Sequence, residues 1–568
     1  MKPYAGCLQA LCVTALLVTA AHAQVTETIA KRHMIAAANP HAAQAGLEMM
    51  RAGGSAVDAA IATQMVLGLV EPESSGIGGG AFMLVYNPKT KQTTSFDGRE
   101  MAPASATPTM FLDAGGQPRT KPEAIPGGLS VGIPGVIKML WLAHEKYGKL
   151  PWARLFEPAI KLSENGFPVG PKLARTIKNF TRGAGMPDIK AHFYHADGTP
   201  LAEGETYKSP EYAATLRKIA KEGPDGFYKG EIAQAIVETV QHAPRQQGGM
   251  TLEDLDKYQA KERAPVCGDY REYRLCSMGP PSSGGVAVLQ ILGMLQRFTP
   301  AELTPNTVSG AHLFAQASRL AYADRAQYLG DPAFVDVPVK GLTDKGYIAG
   351  RAALIDPNHD MGTAIAGNPP EKHARLSPQI SPVLHGTSHM TIVDDTGQVV
   401  AMTTSVESVF GANIMTKGFM LNNTLTDFSF QPMREGKPVA NAPAPGKLPL
   451  SAMSPTIVFD KTGGFLVSVG SPGGPAIIEY VSQILIGILD AKMTTREAIA
   501  MPHEINMNGT TLLEASPNSD ALAAQLTAMG HTVQVPRIEG SGLHGIQKVK
   551  GGYVGAADPR RDGIALGD

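Results

Sequence analysis

The chain has 568 residues, 43% hydrophobic and 18% charged, a globular balance that excludes a bare binding motif or a long disordered polymer. Lysine and arginine total 50 against 51 acidic residues, for a formal charge of −1, so no global field exists to hold nucleic acid or an anionic membrane. This length calls for one very large domain or two or three smaller ones, with function confined to a local site.

In chain order, Lys2, the apolar run from Leu11 to Val18 and Ala21-His22-Ala23 read as a signal peptide over residues 1–23. No later apolar stretch reaches the roughly 18–20 residues needed to span a bilayer. A periplasmic or secreted protein without membrane anchoring is therefore expected, its mature chain starting near Gln24. Cys7 and Cys12 would leave with the leader, and Cys267 and Cys276 flank what reads as a hairpin. In an oxidising compartment that pair is either cross-linked or two separate thiols, and spacing alone does not decide.

Residues 41–72 carry Ala, Leu and Met at helical spacing, divided into two helices by Gly53-Gly54. The Gly-rich run Ser75 to Gly80 then precedes a strand at Ala81–Tyr86, a turn at Asn87–Lys91 and a return strand ending near Arg99. The region from 130 to 350 reads as mainly helical, with Pro and Gly breaks. From about 386 strands dominate: 389–393 with 399–403, then 456–459 with 465–469, the last running through Ser471-Pro472-Gly473-Gly474 into a helix near Pro475. Hairpins and helices in separate runs indicate an α+β layering.

Three motif matches fail on context. Gly76 to Ala81 fits a dinucleotide fingerprint, but a helix precedes it and a strand follows. Gly128-Leu129-Ser130-Val131-Gly132 fits a nucleophile elbow without a strand before it. His385 and His389 have the spacing of a helical metal pair, with Gly386 and a strand where the helix should be. No metal is expected.

The informative boundary is Gly386-Thr387. A threonine hydroxyl is a weak nucleophile that needs an adjacent base, and a free α-amino group with a pKa of about 7.7–8.0 supplies one. If the Thr387 hydroxyl attacks the Gly386 carbonyl, an ester forms, and water then frees Thr387 as a new N-terminus. Gly473-Gly474 before a helix can offer backbone N–H groups to an oxyanion. Taken alone, these residues also describe an ordinary strand start and an ordinary helix start.

Together, Thr387-Ser388-His389, Leu421-Asn422-Asn423 with Asp427-Phe428-Ser429, Leu450 to Thr456, Gly470 to Gly474, Arg99 to Pro103 and Pro280 to Gly285 resemble the γ-glutamyltranspeptidase family of N-terminal-nucleophile hydrolases. The resemblance runs in order from about residue 30 to the C-terminus. It implies a four-layer αββα sandwich made as a precursor and cut into a large chain, 24–386, and a small chain, 387–568, that remain together as a heterodimer. It implies Thr387 as nucleophile and base, Ser405 as its supporting hydroxyl and Gly473 and Gly474 as the oxyanion hole. Arg99 and Ser451 would hold the α-carboxylate of a small γ-glutamyl substrate and Asp427 its α-amino group, with no cofactor. A zwitterionic head does need a guanidinium fork and a carboxylate.

Three positions depart from the family pattern: Glu407 stands for Asn, Thr424 for Gln or Glu, and Ala452 for a second serine. Glu407 adds a carboxylate to the head-group pocket. The Pro-rich segment 428–450 looks shorter than the family's lid and contains no Tyr, which leads one to expect an open site. The expected function is hydrolysis or transfer of γ-glutamyl groups from glutathione-like amides. One alternative is a glutaryl or cephalosporin acylase on the same scaffold, and another is a non-catalytic periplasmic solute-binding protein.

Overall fold

The structure, a computed structural model, describes residues 27–180, 185–371, 386–536 and 540–568. The leader expected at 1–23 and His385 lie outside the described residues. In chain order the main strands are β1 (Glu27–Ala30), β2 (Met34–Ala37), β3 (Gly80–Asn87), β4 (Gln92–Gly98), β5 (Lys261–Arg263), β6 (Val266–Tyr270) and β7 (Tyr273–Ser277). They continue as β8 (Thr387–Val393), β9 (Val399–Ser405), β10 (Thr456–Phe459), β11 (Phe465–Gly470), β12 (His544–Val549), β13 (Gly552–Ala557) and β14 (Ile564–Gly567). They form two seven-stranded sheets, ordered β14-β2-β8-β9-β3-β4-β5 and β1-β13-β12-β11-β10-β7-β6.

The sheets pack face to face, β8 and β9 against β11 and β12. Outside the first sheet lie α1 (Pro40–Arg51), α2 (Ala56–Val70) and α3 (Val136–Tyr147), with α2 against β8 and β9. Outside the second lie α4 (Gly284–Leu295), α5 (Val308–Tyr328) and α6 (Ile477–Leu489), with α4 on β6 and β7 and α6 on β11. The result is the expected αββα sandwich of the α+β class.

Local chemistry explains the elements nearest the site. Ser55 and Asp58 form a reciprocal capping box at the start of α2, which satisfies two donors that would otherwise be buried unpaired. All of α2 is buried, as expected of a helix apolar on every side and covered on every side. The strands β8 and β9 are buried along their full length, as layers between helices and a second sheet must be. Cys267 and Cys276 face each other across the β6–β7 hairpin as a disulfide.

The Gly-rich run before β3 is a packing requirement. A Cβ placed on Gly79 would lie 2.1 Å from the carbonyl oxygen of Ser405, at the end of β9. Gly79→Ala is expected to lower stability by about 1–3 kcal/mol, read from the urea midpoint, and to reduce activity through displacement of Ser405. An unchanged midpoint would show that the strand end yields freely.

Candidate active site

Register brings the site together. Thr387 pairs with Ser405 and Ser405 with Gly80, which sets the start of β8, the end of β9 and the start of β3 side by side. Ala81 pairs with Gly98, so β4 delivers Arg99 at the same end of the sheet. In the second sheet, β11 ends at Gly470 and leads to Gly473-Gly474, while residues 451–455 lead into β10. The sequence-predicted residues Thr387, Ser405, Gly474, Arg99, Glu407, Asp427 and Ser451 line one cleft; Gly473 is adjacent to it in the chain but is not among the lining residues.

Thr387 Oγ1 lies 3.0 Å from Ser405 Oγ. Ser405 Oγ donates to the Gly386 carbonyl at 2.5 Å and accepts from the Glu407 N–H at 2.8 Å. A serine hydroxyl has one proton to give, so in this arrangement Thr387 is the donor to Ser405. Arg561 Nη1 holds the Thr387 carbonyl at 2.9 Å. Gly473 and Gly474 have φ of 134° and 57°, left-handed values that favour glycine. A Cβ on Gly473 would also meet the Tyr480 ring at 2.5 Å.

Arg99 is 2% exposed. Its Nη2 donates to Asp427 Oδ2 at 2.5 Å and to the Leu450 carbonyl at 3.2 Å, and its Nε donates to the Pro449 carbonyl at 3.1 Å. Glu100 Oε2 lies 3.4 Å from Nη1. Burial alone would lower the pKa of this guanidinium, but the carboxylates of Glu100 and Asp427 outweigh it and the pKa is raised. Ser451 is fixed by its backbone: Ser283 donates to its carbonyl from N–H at 2.8 Å and from Oγ at 2.7 Å. The Pro280 to Gly285 motif thus acts on the cleft through Ser451.

Glu407 has φ 80° and is buried, and the Asn423 amide donates to its carboxylate. Burial, helped by the charge of Asp427 and opposed by Lys121, pushes its carboxyl well above the usual range. Thr424 hydrogen-bonds Glu100 at 2.6 Å and is not a lining residue, whereas Ala452 lines the cleft.

The segment 428–450 contributes Leu450 to the lining of the cleft. It carries a small hairpin, Met433–Arg434 with Lys437–Pro438, stacks Phe430 on Phe111 at 4.4 Å, and ties Asn441 to the Asp427 carbonyl at 2.6 Å. Thr387 is 4% exposed and Ser451 5%. Three contributors went unassigned in the sequence. Glu100 lies inside a recognised motif. Arg561 sits in the charged turn Asp558-Pro559-Arg560-Arg561-Asp562 between two strands, a visible signal. Arg325, which lines the cleft, lies in the mixed pattern of α5, where nothing marks it.

Comparison with known proteins adds the following. A family model described as Gamma-glutamyltranspeptidase matches residues 42–568. The glutathione hydrolase proenzyme of Bacillus subtilis (strain 168) is 38% identical over 550 residues, covering 95% of this chain and 92% of its own. That of Escherichia coli (strain K12) is 38% identical over 546 residues, covering 94% and 91%. Among solved structures, a cephalosporin acylase from Bacillus halodurans superposes with a TM-score of 0.83 at 26% identity, covering 98% of this chain and 99% of that one.

Glu407 gives a pH prediction. Because its folded pKa is raised, its protonated form favours the fold. That stability is complete below the unfolded value of about 4.3 and is lost as pH rises toward the folded value. Thermal melts of Glu407→Gln and wild type should therefore diverge as pH increases, the variant melting higher at neutral and alkaline pH. Parallel curves would place the carboxyl in an unstrained setting.

Proposed function

Since the chain belongs to the gamma-glutamyltranspeptidase family, we propose that it is a γ-glutamyl hydrolase and transferase that cleaves glutathione-like amides through an ester on Thr387, after cutting itself at Gly386/Thr387. The observation that carries this reading is the chain of hydroxyls from Thr387 to Ser405 to the Gly386 carbonyl. Ser405 donates to the oxygen that must take up negative charge when Thr387 attacks. In that step Thr387 Oγ1 bonds to the Gly386 carbonyl carbon and the peptide C–N bond breaks. The nitrogen keeps its electron pair and takes up the hydroxyl proton. Water then hydrolyses the ester, leaving Gly386 as a carboxylate and Thr387 with a free amine and hydroxyl.

The mature reaction reuses these atoms. The Thr387 amine accepts the hydroxyl proton as Oγ1 attacks the γ-carbonyl, Gly473 and Gly474 N–H groups receive the oxyanion, and the proton passes to the departing amine. Water, or the amino group of an acceptor, then releases the γ-glutamyl group. The large chain, 24–386, and the small chain, 387–568, remain associated as a heterodimer, and export to the periplasm or medium fits the leader. No helix among the described residues is long and apolar enough to cross a membrane.

The head group decides between substrates. Arg99 and Asp427 pair with each other at 2.5 Å, and a ligand entering between them must replace that pair. A γ-glutamyl zwitterion offers a carboxylate to Arg99 and Ser451 and an ammonium to Asp427 and Glu407. A glutaryl chain offers only the carboxylate and leaves Asp427 without a cation, a penalty of at least about 1–3 kcal/mol. The acylase reading retains support from the whole-chain likeness to the Bacillus halodurans cephalosporin acylase, so the comparison has to be made directly.

Purified protein should run as two bands under denaturing conditions, the smaller about one third of the chain's mass and beginning at Thr387. Thr387→Ala should stay a single inactive chain; full activity in an uncut chain would end this account. Hydrolysis of a γ-glutamyl anilide should exceed that of its glutaryl counterpart by about 10-fold or more, and the reverse order would remove Asp427 from its role. Arg99→Lys should raise KM by about 10-fold or more, because an ammonium cannot reproduce the bidentate fork.

A further inference from the structure

Arg99 touches both sides of the head-group site. Its Nη2 donates to Asp427 Oδ2 at 2.5 Å and to the Leu450 carbonyl at 3.2 Å, so the guanidinium itself joins the Asp427 carboxylate to the segment that carries Ser451. A zwitterion bound between Arg99 and Asp427 replaces the first of these bonds. Whatever then keeps the two sides at a fixed separation must lie beyond the reach of the ligand.

Asn441 meets that requirement. Its side-chain amide donates to the Asp427 carbonyl at 2.6 Å, and its Oδ1 accepts from the Leu450 N–H at 2.9 Å. One planar group thus links the backbone of Asp427 to the residue before Ser451. Asn441 is 2% exposed and is not among the residues that line the cleft, so a bound ligand leaves both bonds intact. The amide is itself held in place. The Asn441 carbonyl accepts from the Ser429 N–H at 2.9 Å, and Lys447 Nζ donates to the neighbouring Ala440 carbonyl at 2.8 Å. The Leu448 N–H donates to Asp331 Oδ2 at 2.8 Å, which anchors the run into Leu450. A buried amide with its donor and its acceptor both engaged is fixed in one orientation.

We infer that Asn441 is a positioning residue for acyl-group selection: it sets the distance between the Asp427 carboxylate and the side of the site formed by Arg99 and Ser451, and so fits the site to a head that carries both charges. The inference rests on the γ-glutamyl reading, which gives Asp427 an ammonium to meet. Asn441 touches neither Gly386 nor Thr387, so its effect falls on which acyl group is accepted, and self-cutting does not need it.

The test removes the two bonds in two ways: Asn441→Leu keeps the bulk of the side chain and Asn441→Ala does not. Both variants should still run as two bands under denaturing conditions. The ratio of kcat/KM for a γ-glutamyl anilide to that for its glutaryl counterpart, about 10 or more in wild type, should fall to near unity in each variant. The fall should come from a KM for the γ-glutamyl compound raised about 10-fold at little-changed kcat. Calorimetry on the processed enzymes should show L-glutamate losing its advantage over glutarate to the same extent. A purely structural role would lower the melting temperature or the processed fraction and leave both ratios untouched. A wild-type preference for γ-glutamyl that either folded variant keeps in full therefore overturns the inference alone. A wild-type preference for glutaryl removes the γ-glutamyl reading and this inference with it; if neither anilide is turned over, the calorimetric ratio decides for Asn441 by itself.

Discussion

The pairing of Thr387 with Ser405 and of Ser405 with Gly80 is the constraint on which the site depends. Side chains alternate along a strand, so a slip of one residue would exchange the two faces of β8. In the observed register Thr387 faces the cleft, and Ser388 turns to a buried charge cluster. There it donates to Glu71 at 2.7 Å, and Lys172 bridges Glu71 at 2.8 Å and Glu73 at 2.5 Å. The opposite face of β8 is therefore tied to that cluster by a hydroxyl–carboxylate hydrogen bond that a slipped strand would lose. Charges buried this deeply stabilise only the arrangement that pairs them, so the cluster specifies register more than it adds stability.

The second organising feature is electrostatic. Arg99 is buried among Glu100, Asp427 and two backbone carbonyls, and Glu407 adds a third carboxyl to the same pocket. Burial opposes full charge on all three carboxyls at once. Glu100 and Glu407 are both raised, chiefly by burial. Asp427, the more exposed member at 27%, is the one placed to meet a ligand. A zwitterion inserted at Arg99 and Asp427 keeps this balance, since it brings one charge of each sign.

Much of this was legible in the sequence because it depends on periodicity and on short motifs. The two helices split at Gly53-Gly54, the paired strands after 386 and the helix following Gly474 all appear where pattern places them. At the cleft, Arg99, Asp427, Ser405 and Ser451 were legible through the family resemblance of the motifs that contain them, and of the two glycines Gly474 lines the cleft. What could not be read was long-range. Arg325 reaches the cleft only because α5 packs on α4 behind Ser283, and Arg561 only because the turn before β14 closes over the start of β8. The path of 428–450 is likewise set by long-range contacts, Phe430 on Phe111 and Asn441 on the Asp427 carbonyl, which its length and composition do not show.

The sheet order also bears on what a cut at Gly386 would do. β8 lies between β2 and β9, and β9 lies against β3. Strands from before and after residue 386 are therefore interleaved within one sheet, and β1 and β13 join the two pieces again in the other. Parting the pieces would expose the unpaired edges of buried strands and both apolar layers, a cost far beyond that of one peptide bond. A cut at this point would change little in the packing. It would free the Thr387 nitrogen from its amide while Ser405 and Arg561 still hold the residue in place, so on the proposed reading a single hydrolysis would convert a structural strand end into a nucleophile with its own base.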